Sequence, residues 1–403
     1  MSRTRVLAAT LAAALLSALP TRAAAPGAPT QVFIDVDTHT MAGMPDLGAL
    51  GRFAGRMAGK QELGYPDARS AGTSGLYFDI ALHNTLAPGK PAEQAIPAGL
   101  GLGDALPLLP PTRETAPETP GMQQIDGTEA RLLVYWGCGA TIRPGQPRVL
   151  EMRMRNGVPD ASGSIESRQA ANRDVKLDPS YALWPNPKAR KRADKGASLQ
   201  GEHRITGDGV PASLKFTLGP QADFMPAIAL QQQGTPADGI TFSWQPVARA
   251  DAYFLNAIAK QGNEVVVWSS AEVPDMGSGL MDFLTGSDVA RWVKDKVLLA
   301  PSITRCQMPK GILKGGDEAG MGLLSMIAYG PETNLAWPPK PTDPKQPWKP
   351  EWNVRVRTKS TAGAVLGMDM SGMGDEPQTD DPAQPRQEEG KGKKLLRGLL
   401  KGL

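Results

Sequence analysis

Proline and glycine interrupt this chain so often that long helices are excluded over most of its length. The 403 residues include 45 glycines and 37 prolines, together about a fifth of the chain and well above average use. Proline ends helices and removes a hydrogen-bond donor from a sheet, and glycine weakens both kinds of element. Eight prolines between residues 86 and 124 predict an irregular connection there. We therefore expect a mainly β protein with short strands and long loops.

The N-terminal residues have the pattern of a secretory signal peptide. Arg3 and Arg5 precede an apolar run over residues 6–19, and small residues follow at 23–25. The run is shorter than the roughly 20 apolar residues that a transmembrane helix needs. We predict a signal peptide over residues 1–23, and a periplasmic or secreted mature protein that is at most peripheral on a membrane.

Charge and cysteine content narrow the function classes further. The formal net charge is only +3, which gives no electrostatic reason to expect a nucleic-acid partner. Two cysteines in an oxidising compartment favour one disulfide, Cys138–Cys306, which would join the two halves of the chain. A redox or metal-binding thiol pair is the alternative, but there is no C-x-x-C spacing and neither cysteine has a histidine neighbour.

Hydrophobic patterning divides the chain into two β-sandwich domains with additional segments. Alternation of Leu214, Phe216 and Leu218 with polar residues is typical of a strand with one buried face. The predicted organisation is an N-terminal strand and short helix in residues 24–63, a first sandwich in 64–225, a second in 235–365, and a disordered tail in 366–403.

The best fold signal is an alternating run that ends in Trp244, followed by a turn at Pro246 and a strand containing Tyr253. With the next strand, it resembles a fibronectin type III-like, immunoglobulin-related sandwich over residues 239–270. That resemblance implies a fold and no active site. Residues 280–298 read as a helical insertion into this second domain, with Ser287 as N-cap.

Three side chains alternate along the first strand and project from one of its faces: Asp35, Asp37 and His39. They offer oxygen and nitrogen ligands to a metal ion. The preferred interpretation is a solvated edge strand, because the sequence identifies no further ligands. Only two other histidines exist, His83 and His203, and no G-x-S-x-G or H-E-x-x-H motif is present. We therefore predict no catalytic residues and no cofactor.

The last residues form a basic amphipathic segment. A helix here would group its leucines on one face and its cations elsewhere; the residues are Lys394, Leu395, Leu396, Arg397, Leu399, Leu400, Lys401 and Leu403. Such a segment docks on an anionic membrane surface or in the groove of an envelope protein. The alternative is a frayed tail.

Tryptophans beside prolines suggest a third kind of site. Trp337, Trp348 and Trp352 lie in Pro-rich sequence, and exposed tryptophan next to proline forms a rigid stacking surface for a glycan. The alternative is that they cover the ends of the sandwich.

Taken together, the sequence favours an exported cell-envelope protein with a non-catalytic binding or scaffolding role. A periplasmic metal-dependent hydrolase and a carbohydrate-binding module are the competing hypotheses.

Overall fold

A computed structural model describes residues 28–42, 64–69, 71–111, 129–155, 158–162, 164–169, 175, 178–314, 322–343 and 345–366. The predicted signal peptide, the predicted short helix and the tail beyond residue 366 lie outside these residues. The described part is mainly β, as predicted. No helix in it is long and apolar enough to cross a bilayer.

Ten strands form one large mixed sheet. They are β1 (Thr30–Ala42), β2 (Gly75–Asn84), β5 (Glu129–Trp136), β6 (Arg148–Arg155), β7 (Val158–Ser162), β8 (Tyr181–Trp184), β13 (Ala252–Gln261), β14 (Glu264–Ser269), β16 (Gly322–Trp337) and β17 (Trp352–Leu366). Their order is β7-β6-β5-β14-β13-β16-β17-β1-β2-β8. The pairs β1–β17 and β5–β14 are parallel and the others antiparallel.

Two smaller sheets cover one face of the large sheet. The first has the order β10-β9-β3-β4 and contains β3 (Ala92–Ala95), β4 (Ala105–Leu108), β9 (Gly201–Gly207) and β10 (Lys215–Leu218). The second has the order β11-β12-β15 and contains β11 (Gln231–Thr235), β12 (Gly239–Ser243) and β15 (Arg305–Met308). Each smaller sheet encloses its own apolar core against the large sheet.

Strand β17 belongs to both cores. Val354 and Val356 pack under the four-stranded sheet, whereas Ala362 and Ala364 pack under the three-stranded sheet. Because β17 pairs with β16 on one side and β1 on the other, the hydrogen-bond ladder runs without a break through strands of both predicted domains. The predicted boundary between residues 225 and 235 therefore does not separate two sheets.

Two local expectations differ from the structure. Strands β3 and β4 lie within the Pro-rich stretch that we predicted to be irregular. Pro107 is tolerated in β4 because β4 is an edge strand, where a missing donor costs no ladder bond.

The only α-helix of the described residues, α1 (Gly286–Lys294), is shorter than the predicted insertion, and its N-cap is Thr285 rather than Ser287. Thr285 Oγ1 accepts a hydrogen bond from the Asp288 amide at 3.0 Å.

The predicted disulfide is present and links the three-stranded sheet to the large sheet. Cys138 follows β5 of the large sheet, and Cys306 lies in β15 of the three-stranded sheet. Cys306 is buried in the apolar core between them. The disulfide thus clamps the three-stranded sheet to the large sheet.

Candidate functional site

Charged side chains are concentrated on the face of the large sheet opposite the two covering sheets, which we call the outer face. Successive side chains of a strand point to opposite faces, so the residues of β1 between those of the apolar core lie here. The in-register strands β2 and β17 add others. The resulting polar cluster comprises Asp35, Asp37, His39, Asp79, Arg357, Lys359 and Thr361.

The interpretation of Asp35, Asp37 and His39 as a solvated edge strand is wrong. Strand β1 lies between β17 and β2, well inside the large sheet. The exposed fractions of the three residues are 3%, 1% and 8%. They are buried because the chain pairs its first described strand with its last one.

Asp35 forms a buried ion pair with Arg357, its register partner on β17. Arg357 Nε lies 2.7 Å from Asp35 Oδ1, and Arg69 donates a further hydrogen bond to Oδ2 at 3.0 Å. Burial raises the pKa of Asp35, but the two guanidinium groups outweigh it and hold this pKa below its usual value. The carboxylate is therefore ionised and fully engaged.

Asp79 lies opposite Asp35 on β2 and holds the segment 64–69 against the sheet. Its carboxyl oxygens accept hydrogen bonds from the backbone amides of Asp67 at 3.0 Å and Ala68 at 2.8 Å. Burial, with a contribution from the nearby Asp35 charge, raises the pKa of Asp79 well above its usual value. Asp79 is thus a structural anchor for this segment.

Asp37 and Lys359 face each other in the next row of the sheet. Burial raises the pKa of Asp37 to about 6, although the Lys359 charge and a hydrogen bond from Thr361 oppose that shift. Lys359 is 2% exposed, and its Nζ lies 3.7 Å from Asp282 and 4.5 Å from the centre of the Phe283 ring. This ammonium group supplies the positive charge that a metal ion would bring.

His39 ends the cluster and is oriented through Thr361. Thr361 has one hydroxyl proton, which it donates to Asp37 at 2.9 Å, so it can only accept from His39 Nδ1 at 2.8 Å. This network assigns the proton of the neutral imidazole to Nδ1. Burial, followed by the charges of Lys359 and Arg192, lowers the pKa of His39 to about 4. Nε2 therefore carries a lone pair, and it has no hydrogen-bond partner among the described residues.

Within the described ranges, no group of three or more His, Cys, Asp or Glu side chains is arranged to hold a metal. His203 is buried in the core of the four-stranded sheet, where it contacts Gln94 and the Leu199 carbonyl, and His83 stacks on Tyr181. Neither of these contacts involves His39, so no second histidine joins the predicted trio.

The tryptophans predicted to form a glycan surface differ in solvent exposure. Trp352 is 4% exposed and packs in the core under the four-stranded sheet, so it is not a surface residue. Trp348 is partly exposed; its Nε1 donates to the Pro338 carbonyl at 2.9 Å, and Lys340 Nζ lies 5.9 Å from its ring centre. Trp337, at the end of β16, is 48% exposed. The membrane-docking residues between Lys394 and Leu403 lie outside the described residues.

Sequence reasoning did not assign four members of the polar cluster: Asp79, Arg357, Lys359 and Thr361. The sequence contains a signal for two of them, Arg357 and Lys359. The run from Asn353 alternates cations with small or apolar residues, and the run from Ile34 alternates acids in the same way. Opposite charges at matching spacing indicate two strands that pair side by side. Asp79 and Thr361 carry no comparable signal.

Comparisons with known proteins do not place the chain in a family. No protein-family model matches it, and neither the curated proteins nor the solved structures yield a significant match. We therefore infer function from the residues and their geometry alone.

Proposed function

We propose that this chain is an exported, non-catalytic binding protein of the cell envelope. One observation supports the proposal: the acid–histidine trio that the sequence offered is buried, and its two carboxylates are engaged by Arg357, Arg69 and Thr361. A catalytic site needs groups that reach a substrate. The disulfide and the continuous sheet make a rigid support, which suits presentation of a surface to a partner.

Strand order supports the fibronectin type III-like interpretation of the second half. Of the seven strands described from β11 onward, the first, second and fifth (β11, β12 and β15) form one sheet. The other four are neighbours in the large sheet, in the order β14-β13-β16-β17. A fibronectin type III-like module divides its strands in this way. Such modules serve in binding and spacing, so this likeness favours the same class of function.

The connection between β16 and β17 is the surface best suited to a ligand, and we propose a glycan. Trp337 is exposed beside Pro338, and the indole of Trp348 is held by a hydrogen bond to that proline's carbonyl. Flat indole faces stack on the apolar faces of sugar rings. Lys340, close to Trp348, would favour a glycan that carries carboxylate or phosphate groups.

Replacing Trp337 with alanine tests the glycan proposal. We expect retention on immobilised cell-wall polysaccharide to fall at least tenfold, because the exposed stacking face is lost, while the thermal unfolding midpoint stays close to that of the wild type. The matched control is Leu86→Ala, which removes another apolar side chain, 62% exposed, that belongs to no tryptophan surface. Equal retention of wild type and Trp337→Ala would reject the glycan, and equal losses in both variants would show non-specific adhesion.

The basic amphipathic end supplies a second, separable means of binding, to an anionic membrane surface. Leu366 packs in the core, so a truncated chain should end after it. We expect the full-length protein to sediment with vesicles rich in anionic lipid at low salt, and the truncated chain to remain in the supernatant. Replacing Leu395, Leu396, Leu399 and Leu400 with serine in the full-length chain is the matched control. Sedimentation of that variant at the wild-type level would contradict docking by the leucine face.

A further inference from the structure

A buried lysine meets two aspartates where the segment before α1 crosses the outer face of the large sheet. Lys359 is 2% exposed, and its Nζ lies 3.7 Å from Asp282 Oδ1. That separation is longer than a hydrogen bond, so the contact is an ion pair alone. On the neighbouring strand, the register partner of Lys359 is Asp37, which is 1% exposed. The lysine therefore has one carboxyl group beside it in the sheet and another on the covering segment.

The Phe283 ring covers the cationic groups of β17. Its centre lies 4.5 Å from Lys359 Nζ and 4.6 Å from the guanidinium carbon of Arg357. Phe283 is itself 5% exposed, so it keeps water from the ammonium group without offering an oxygen to pair with it. For a buried ion pair without excellent geometry, the desolvation penalty exceeds the Coulombic attraction. Conversion of the Lys359–Asp282 pair to a neutral group would remove this penalty.

The Asp282 carboxyl group is placed to accept a nucleophile. Its Oδ1 accepts a hydrogen bond from the Phe283 backbone amide at 2.7 Å. Such a donor stabilises the oxyanion that develops when an amine adds to the carboxyl carbon. The Asp282 side chain is 35% exposed, so a water molecule released there can leave to solvent. Asp282 thus combines contact with Lys359, an oxyanion donor and an exit for water.

Asp37 is the group that can take a proton from Lys359. Its charge interacts with those of both Lys359 and Asp282, which places it close to the two groups that would react. Burial raises the pKa of Asp37 to about 6, against the opposing effects of the Lys359 charge and the Thr361 hydrogen bond. A carboxylate with such a pKa is a stronger base than an ordinary aspartate and is still ionised at neutral pH.

We propose that Lys359 and Asp282 condense to an intramolecular amide, which cross-links β17 to the segment before α1. Asp37 accepts one ammonium proton and returns it to Asp282 Oδ2, and the neutral Nζ attacks Cγ. The second proton that Nζ loses converts Oδ2 to the departing water molecule. One ammonium and one carboxylate thus become one amide and one water molecule, and no other reactant is needed.

Contact between the two groups is what makes this condensation feasible. Free amines and carboxylic acids do not condense in water, but well-oriented groups within one molecule reach effective concentrations of about 10⁵–10⁸ M. The cross-link would give the chain a second covalent brace besides the disulfide. It is independent of the glycan surface and of the amphipathic tail.

Intact-mass spectrometry of the wild-type protein, reduced and denatured at intervals during incubation of the folded chain, tests the proposal. We expect a mass lower by one water molecule than the sequence predicts, and digestion should yield one branched peptide that joins Lys359 to Asp282. Lys359→Met and Asp282→Ala should keep their full masses. Asp37→Asn can keep its hydrogen bond with Thr361 but cannot accept the proton, so its mass loss should form at least tenfold more slowly.

An exposed ion pair provides the matched control. Lys215 and Glu202 approach more closely, at 2.7 Å, but their side chains are 46% and 56% exposed, so Lys215→Met should show the same mass loss as the wild type. A wild-type protein that keeps its full mass throughout would overturn the proposal, and this measurement does not depend on the folding of any variant. A mass loss retained in Asp282→Ala would also overturn it, and the branched peptide would then identify the carboxyl group that reacts instead.

Discussion

Replacing Asp35 with alanine is expected to lower the free energy of unfolding by about 3–5 kcal/mol, the usual cost of removing one partner from a buried ion pair. The Asp35 and Arg357 side chains are 4% and 5% exposed. Without the carboxylate, the guanidinium of Arg357 keeps its place over the Phe283 ring but loses its neutralising charge. Urea denaturation of the mature protein at pH 7, followed by tryptophan fluorescence, measures the change.

Two controls show whether burial causes the effect. Glu202→Ala breaks the pair between Lys215 and Glu202, whose side chains are 46% and 56% exposed, and should cost less than about 1 kcal/mol. The double variant Asp35→Leu with Arg357→Met should recover much of the loss, because the two charges of the most deeply buried pair are removed together. Equal losses of unfolding free energy in Asp35→Ala and Glu202→Ala would contradict the role of burial, because they would show that solvent reaches the Asp35–Arg357 pair.

Removing the disulfide should destabilise the protein by up to about 5 kcal/mol on the chain-entropy model, since the two cysteines are 168 residues apart in sequence. The structural clamp between the large sheet and the three-stranded sheet is lost at the same time. Denaturant unfolding of the double variant Cys138→Ala, Cys306→Ala, compared with the wild type, measures this loss.

Reductant provides the matched test of the disulfide. Treating the wild type with dithiothreitol should reproduce most of the loss seen in the double variant and leave the variant itself unchanged. The backbone bond from the Gly139 amide to the Gln307 carbonyl, at 2.8 Å, remains available in both, so the two segments keep a local contact. A wild-type protein equally stable with and without reductant would contradict a stabilising role for the disulfide.

Several elements were readable from the sequence because their signals are local. Alternation at Leu214, Phe216 and Leu218 predicted a one-sided strand, and those residues are buried on one face. The disulfide was predicted from the even number of cysteines and from the predicted export of the chain, without any knowledge of the fold. The helix was harder, because Thr285 and Ser287 are both capable N-caps, and only the observed bond to the Asp288 amide distinguishes them.

The candidate site was only partly readable. His39 was identified as a possible metal ligand together with Asp35 and Asp37. In the structure, two guanidinium groups engage the first carboxylate and a threonine hydroxyl engages the second. Asp79 carries no signal by itself, because it is a neighbour of Asp35 only across the sheet.

Composition and local pattern by themselves determined that this chain is a β protein, that its two cysteines pair, and that its first strand carries charges on one face. Only the tertiary structure decided where that strand lies. Hydrogen bonds between residues 322 positions apart join β1 to β17, and no local preference encodes a pairing over that distance. Opposite charges on the two strands and a shared apolar core make this register the stable one, and it places acids, cations and an imidazole side by side on the outer face.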